Sequence, residues 1–402
     1  MPGKRRLLFS HIYFPPSPKP YGKMLEFMAM AFAEKGYEVS VFTSLDPAQR
    51  QAAEEADRRL GTLGISVARV AIEPGQGLAG KLRSAIRYTV ALAHHIVRAR
   101  PDVATVGSFP PLMTAFCAAL AGRVAGTRIL YHVQDIHPDI TAPKLSPAVR
   151  PFYRIGGGML AKLTLQLVHG VVTLSEDMRQ ILVGRGAPES RTVAINNLSL
   201  SSLEPTSVAP DKAAARSDGR LQVIYAGNMG AFQALDVVAP FVIAAVSAIP
   251  NIEFLFVGDG VRRQWLMGAL SGLDSGRVRF LDTMPFAELQ PLLERADFGL
   301  VSLDDASARF AYPSKIVTYL GMGLPLLCLI ARGSSIAREI EENGLGIAFD
   351  ANGIHDAVRR LEALSQSPAD VAALKRRAGD YFASSFSAEA YVRRWEEFLG
   401  EL

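Results

Sequence analysis

The feature that most constrains this fold is an alternation that runs through the chain twice. Short apolar runs at 7–10, 38–42, 65–68, 103–106, 128–131 and 170–174 are separated by longer stretches such as 24–34 and 81–98, which have helical periodicity. The same scheme restarts with apolar runs at 221–226, 252–257, 278–281, 298–303, 326–330 and 346–349. Strand–helix alternation implies parallel strands, because each crossover returns the chain to the same end of the sheet. A parallel sheet in turn needs helices on both faces. The predicted class is therefore α/β, with two Rossmann-like, doubly wound parallel-sheet domains.

Length agrees with this division, since 402 residues exceed one ordinary core. The break falls at 201–220, a stretch rich in Ser, Pro, Ala and charge with no apolar period, which reads as a linker. The domains are then 1–200 and 221–382, facing a cleft, with 383–402 as a terminal element. Its helix, 388–399, carries Tyr391, Trp395 and Phe398 on one face and needs a surface to dock on. The two cysteines, Cys117 and Cys328, lie in apolar runs and read as packing residues in a reducing compartment. The start of the chain has no secretory h-region, because 7–9 is too short. The uncharged stretch 103–122 reaches membrane-spanning length, but Gly107 and Pro110-Pro111 split it into strand, turn and helix. A net charge of +4 favours anionic partners only where it is concentrated locally.

In parallel sheets ligands bind beyond the carboxyl ends of the strands, so the loops there carry the chemistry. The stretch 312–325 follows a strand and a polar loop. Pro313 suits the first helical position, and Ser314 and Lys315 then stand among backbone N–H groups that have no partner inside the helix. Such a helix start with a lysine is an anion site, for phosphate above all; the alternative is an ordinary connection with a surface lysine. Two glycine loops, Gly227-Asn228-Met229-Gly230 through Gln233 and Gly258-Asp259-Gly260, also follow strands. Each is a weak phosphate signal alone, but together with Lys315 and Arg309 they suggest a nucleoside diphosphate held by amides and charge.

The first strand ends in a loop with Tyr13, Lys19, Tyr21, Gly22 and Lys23, which is either a second anion or acceptor loop or a rigid proline-rich connection. The fifth ends in His132-Val133-Gln134-Asp135-Ile136-His137-Pro138-Asp139. These residues lack the separated, turn-fixed ligands of zinc sites, which leaves acid/base or hydroxyl-binding roles for His132, Asp135 and His137, or a structural one. Residues 81–100 and 144–162 mix basic and apolar side chains, as a helix on an anionic bilayer or a solvated helix face does.

Taken together, the chain resembles glycosyltransferase family 4, the retaining GT-B enzymes. The likeness rests on Tyr13-Phe14-Pro15-Pro16, the 132–139 segment and Leu174-Ser175-Glu176-x-Met178 with Asn196-Asn197. It continues through Ala226 to Gly230, Val257 to Gly260, and Pro313-Ser314-Lys315 with Tyr319-Leu320 and Gly323-Leu324-Pro325. It is closest to the branch that builds bacterial O-antigen, capsule and colanic-acid-type exopolysaccharides, including fucosamine transferases.

The resemblance implies an acceptor-binding amino domain, a donor-binding carboxyl domain and a last helix that packs back on the amino domain. It implies transfer from a nucleotide-sugar, UDP-linked and perhaps an N-acetylated amino sugar, to an undecaprenyl-diphosphate-linked saccharide. The expected place is the cytoplasmic face of the inner membrane, with peripheral attachment. It also implies no metal and no cofactor, the nucleotide-sugar being a substrate, so Asp304-Asp305 is not read as a metal motif. Donor contacts fall on Gly227, Asn228, Met229, Gly230, Gln233, Gly258, Asp259, Gly260, Arg309, Tyr312, Pro313, Ser314 and Thr318. Acceptor contacts fall on Tyr13, Lys19, Tyr21, Gly22 and Lys23, and catalysis on Lys315, His132, Asp135 and His137.

Two departures stand out. The wider family's phosphate-binding Arg and Lys correspond to the neutral Asn228 and Gln233, and its glutamate pair, separated by seven residues, falls on Phe310 and Thr318. Lys315 then carries the diphosphate, and Thr318 a ribose hydroxyl. The rival readings are a nucleotide-sugar 2-epimerase and a non-catalytic polysaccharide-assembly protein. No nucleic-acid-binding module is present in the pattern.

Overall fold

The computed structural model describes residues 4–17, 19–72, 77–198, 219–304 and 309–402. The expected linker therefore lies outside the described residues except for Gly219 and Arg220, as does Asp305. The chain forms two compact units, residues 1–200 with 392–402 and residues 201–391.

The first unit is built on β1 (Arg6–Ser10), β2 (Glu38–Leu45), β3 (Ser66–Ala71), β4 (Val103–Gly107), β5 (Arg128–His132), β6 (Gly170–Thr173) and β7 (Thr192–Ala194). Their order is β3-β2-β1-β4-β5-β6-β7, and every pairing is parallel. Six strands were expected here. The additional one, β7, is three residues long, half-buried and without an apolar run, so nothing in its pattern marks it. The uncharged stretch divides as expected into β4 and the helix Met113–Ala125, which Gly126 ends in a left-handed conformation, φ 73°. Among the described residues no helix is long and apolar enough to cross a membrane.

The terminal helix Ala388–Gly400 carries Tyr391, Trp395 and Phe398, all buried. From Val392 onward it is part of the first unit. Trp395 stands edge-on to His132 with ring centroids 5.2 Å apart. Arg394 donates to the Ala194 carbonyl at 2.7 Å, and Lys35 pairs with Glu396 at 2.7 Å. Burying Trp395 and Phe398 stabilises this seat by roughly 2–3 kcal/mol each, which outweighs the exposed ion pair.

The second unit holds β8 (Leu221–Ala226), β9 (Ile252–Val257), β10 (Val278–Leu281), β11 (Phe298–Ser302), β12 (Leu326–Leu329) and β13 (Gly346–Phe349). The order is β10-β9-β8-β11-β12-β13, again all parallel. Phe254, Phe256 and Phe298 from the strands pack with Phe241 of the helix Leu235–Ala248 and with Phe349. Sheets buried on both faces need strands that are apolar almost throughout, and β9 is buried along its whole length.

In both sheets the connections reverse direction at one point, between β1 and β4 and between β8 and β11. The loops leaving those neighbouring strands diverge there, which opens space at their carboxyl ends. The candidate residues lie at these loops and at those of the adjoining strands β5 and β9.

Candidate active site

In the second unit, β11 pairs directly with β8, so the helix Ser314–Gly321 that follows β11 begins beside the loop that follows β8. Pro313, with φ −67° and ψ 115°, caps this helix, and Ser314 rather than Pro313 is its first residue. Lys315 reaches back across the loop. Its ammonium lies 3.6 Å from the centroid of the Tyr225 ring and donates to Gln233 Oε1 at 3.3 Å. Among the described residues it has no carboxylate partner. Burial lowers its pKa from the ordinary lysine value to about 7. A cation held there gains most from an anion placed beside it.

The loop is shaped around this lysine. Gly227 has φ +128°, and a Cβ on it would stand 2.9 Å from Lys315 Cε. Gly258, φ +133°, lies so close that a Cβ would collide with the Gly227 carbonyl. The two glycine loops brace each other. Gly227 N–H donates to Val257 O at 2.8 Å, Met229 N–H to Asp259 O at 2.8 Å, and Gly258 N–H to Leu281 O at 3.1 Å. Gly260 N–H donates to the Asp259 carboxylate at 2.7 Å. These four amides are therefore committed, which corrects the expectation of a cradle formed by all the glycine-loop N–H groups. The amides of Asn228 and Gly230 have no partner among the described residues.

The other expected donor residues divide. Asn228, Asp259 and Ser314 are exposed, whereas the Met229 side chain is fully buried and packs in the core. Arg309 is exposed in the turn before the helix. Thr318 Oγ1 donates back to the Ser314 carbonyl at 3.2 Å. Tyr312 is turned inward; its hydroxyl lies 3.3 Å from the Glu339 carboxylate, and burial pushes its pKa well up. Two aromatic residues outside the expected site residues support the loop that follows β8. Tyr225 backs the ammonium and donates to the Asn228 carbonyl at 2.8 Å, and the Tyr319 hydroxyl accepts from Ala226 N–H at 2.7 Å. In sequence Tyr225 is only a strand tyrosine, and Tyr319 belongs to the family-like stretch without a sign of this contact.

In the first unit, β1, β4 and β5 are neighbours, and their loops bring Tyr13, Tyr21 and His132 together. Tyr13 stacks on Phe109 at 5.7 Å, Lys19 lies 6.0 Å from the Tyr13 ring, and Lys23 is exposed. Gly22 is buried, and a Cβ there would lie 3.1 Å from Phe14 Cα. His132 is buried with both ring nitrogens engaged, Nδ1 at 2.8 Å from the Tyr21 hydroxyl and Nε2 at 2.8 Å from Gln134 Nε2. Gln134 is held in place by Asn197, which donates to its Oε1 at 2.6 Å. Its amide nitrogen therefore donates to Nε2, and in the neutral ring Nδ1–H donates to Tyr21.

Burial lowers His132 to a pKa of about 3 and His11, whose ring lies 4.1 Å from Tyr21, to about 4. Both are neutral at physiological pH. His11 was absent from the sequence candidates, because a lone histidine after a strand carries no pattern. Further along the β5 loop, His137 Nδ1 and Thr141 Oγ1 share a hydrogen bond of 2.7 Å, and Asp139 pairs with Arg185 at 2.6 Å. Asp135 has no hydrogen-bond or ion-pair partner among the described residues. These side chains do not converge as metal ligands; among the described residues no such group exists.

With this geometry in hand, comparison with known proteins is informative. The profile of the Glycosyl transferase 4-like domain family matches residues 21–197. A probable glycosyltransferase WbjE of Pseudomonas aeruginosa is 24% identical over 257 residues, which span 61% of this chain and 62% of the relative. A putative colanic acid biosynthesis glycosyl transferase WcaI of Escherichia coli K12 is 24% identical over 245 residues, 56% of each chain. The likeness thus spans only about three fifths of these curated relatives. Among solved structures, Anabaena Alr3699/HepE in complex with UDP superposes with a TM-score of 0.68 at 14% identity, covering 99% of this chain and 100% of that one. The lipopolysaccharide outer core galactosyltransferase WaaB in its apo form gives 0.65 at 12% identity over 98% and 99%. The fold is that of the GT-B glycosyltransferases, two parallel-sheet α/β units.

Proposed function

We propose that this protein is a glycosyltransferase that moves a sugar from a nucleoside-diphosphate donor to a saccharide of a bacterial surface polysaccharide. The observation that carries this reading is Lys315, a lysine with no carboxylate partner among the described residues, held against a glycine loop at a strand's carboxyl end. The family match over 21–197 and the names of the relatives support it, and the UDP found in Anabaena HepE supports a UDP-sugar as donor.

In this reading the bond between the anomeric carbon and the diphosphate oxygen breaks as an acceptor hydroxyl oxygen bonds to that carbon. Negative charge grows on the departing diphosphate. Lys315 and the amides of Asn228 and Gly230, unpartnered among the described residues, stand where that charge develops, and there electrostatic help lowers the barrier most. Attack comes from the face the donor leaves, so configuration is retained, and a departing phosphate oxygen takes the acceptor's proton. No metal takes part. His132 positions Tyr21 rather than transferring a proton, because both its nitrogens are already bonded; Asp135 has a carboxylate without a hydrogen-bond or ion-pair partner among the described residues.

The acceptor is a lipid-diphosphate-linked saccharide, met at the cytoplasmic face of the inner membrane. In support, the helices Gly77–Ala99, Met113–Ala125 and Arg150–Leu167 lie side by side and expose Ile86, Val90, Val124 and Phe152 among basic residues. Apolar side chains ringed by Lys and Arg favour an anionic bilayer surface. The test is incubation with UDP-sugars and a polyprenyl-diphosphate-linked saccharide. A glycosylated lipid and UDP are expected. Donor epimerised without acceptor, or no turnover with any donor, contradicts the reading.

A further inference from the structure

We infer that the first unit contains a separate seat for the phosphate groups of a polyprenyl lipid, between the β5 loop and the helix Arg150–Leu167. The inference rests on the lipid-linked acceptor of the preceding reading and names where that acceptor's head is held. A cavity of about 490 Å³ is lined by Pro138 and Asp139 from the loop, by Arg154, Gly158 and Lys162 from the helix, and by Gly184 and Arg185. Its three cations face one carboxylate, Asp139, which is already paired with Arg185 at 2.6 Å. The balance is three minus one, a surplus of two positive charges. That surplus suits a phosphate or diphosphate, which guanidinium and ammonium groups bind through charge-assisted hydrogen bonds.

The shape of the helix says which kind of phosphate. Arg154, Gly158 and Lys162 follow at intervals of four and share one face. Shifted by one position, Ile155, Met159 and Leu163 form the adjoining face, joined by Phe152, and all four are exposed, Phe152 to 78%. A cationic cavity and an apolar stripe thus run side by side along one helix. A sugar nucleotide has no use for the stripe, and a bilayer alone has no use for a cavity. An amphiphile with a diphosphate head and a hydrocarbon tail uses both. The cavity also opens on the loop that bears Asp135 and His137, so a saccharide attached to the same diphosphate starts beside those residues.

Gly158 allows a direct test. A Cβ there meets nothing within 4 Å, so a larger side chain enters the cavity without disturbing the fold or the charge. The full-length protein is sedimented with phosphatidylcholine vesicles carrying geranylgeranyl diphosphate and, separately, with phosphatidylglycerol vesicles of matched surface charge. The wild type is expected to prefer the diphosphate vesicles. Gly158→Leu should lower that arm about tenfold, because its side chain keeps the diphosphate from reaching its charge-assisted contacts, and leave the phosphatidylglycerol arm unchanged. The double variant R154A/K162A should lower the diphosphate arm at least as much. Unchanged diphosphate binding by Gly158→Leu, or equal losses in both arms, overturns the site and leaves only diffuse attraction to the bilayer. UDP binding is measured in parallel. A wild type that binds no UDP contradicts the transferase reading, while the vesicle arms still decide the lipid seat.

Discussion

Lys315 and Tyr225 face each other beside the loop that follows β8, ammonium over ring, with 3.6 Å between the charge and the ring centroid. A cation–π contact of this kind contributes about 0.5–2 kcal/mol. Burial works the other way and lowers the lysine to about 7, a shift that corresponds to more than the ring contact supplies. Near neutrality the free protein therefore holds this lysine only partly protonated, and an anion beside it favours the charged form.

That imbalance predicts a trade of stability for binding. The folded pKa of Lys315, about 7, lies below its ordinary value of 10.5, so between these pH values the unfolded chain holds the extra proton. Stability contributed by this group rises with pH across that window, and the cost is full below it. Lys315→Met should stabilise the free protein by about 1–2 kcal/mol near pH 6.5, a figure discounted for partial solvent access, and by nearly nothing near pH 10. Urea unfolding of both proteins at the two pH values checks this.

Gly227 is a second lever on the same lysine. Its backbone lies at φ +128°, where side chains are strained, and a Cβ would press on Lys315. Gly227→Ala should cost about 1–3 kcal/mol of stability. It should also weaken UDP binding, with the amino unit's affinity for acceptor unaltered. Calorimetric titration with UDP and thermal unfolding read the two effects.

The buried histidines predict acid sensitivity. His132 and His11 have folded pKa values of about 3 and about 4, below the ordinary 6.5. Below pH 6.5 the unfolded chain takes up protons that the folded chain refuses, so stability falls as pH drops from there toward 4. The loss is of the order of several kcal/mol for the pair. His132→Gln should flatten the pH dependence of urea unfolding over this range, and turnover should show no inflection from His132 near neutrality.

Trp395 predicts a split between substrates. Its edge-on contact fixes His132, which in turn bonds Tyr21. Trp395→Phe, chosen to keep most of the burial, should cost about 1–2 kcal/mol through the space left behind. It should raise KM for the acceptor while KM for the donor stays near wild type. Steady-state kinetics with each substrate varied measure the split.

The strands were legible from their unbroken apolar runs, and the helix start from a proline before a polar turn, though that pattern put it at Pro313, one residue before the observed Ser314. Lys315 was legible for the same reason. β7 was not, because Thr192–Ala194 has neither length nor an apolar run. Nor was the bracing of the two glycine loops, which takes up the amides of Gly227 and Met229, since strand order alone brings those loops together. Tyr225 and Arg185 act through Lys315 and Asp139, far away in sequence, and no spacing rule reaches that distance, while His11 is a lone histidine after a strand and carries no pattern. The face of the terminal helix was visible in Tyr391, Trp395 and Phe398, while the residue that Trp395 meets, His132, was not.

The central claim is that Lys315 neutralises the diphosphate of the donor. Titration calorimetry of UDP near pH 7.5, in two buffers that differ in ionisation enthalpy, tests it directly. A lysine that titrates near 7 must gain a proton when the diphosphate arrives. The wild type should bind UDP with net proton uptake, and Lys315→Ala should bind at least about tenfold more weakly, with that uptake gone. Equal affinity and equal proton uptake in the two proteins would contradict the account.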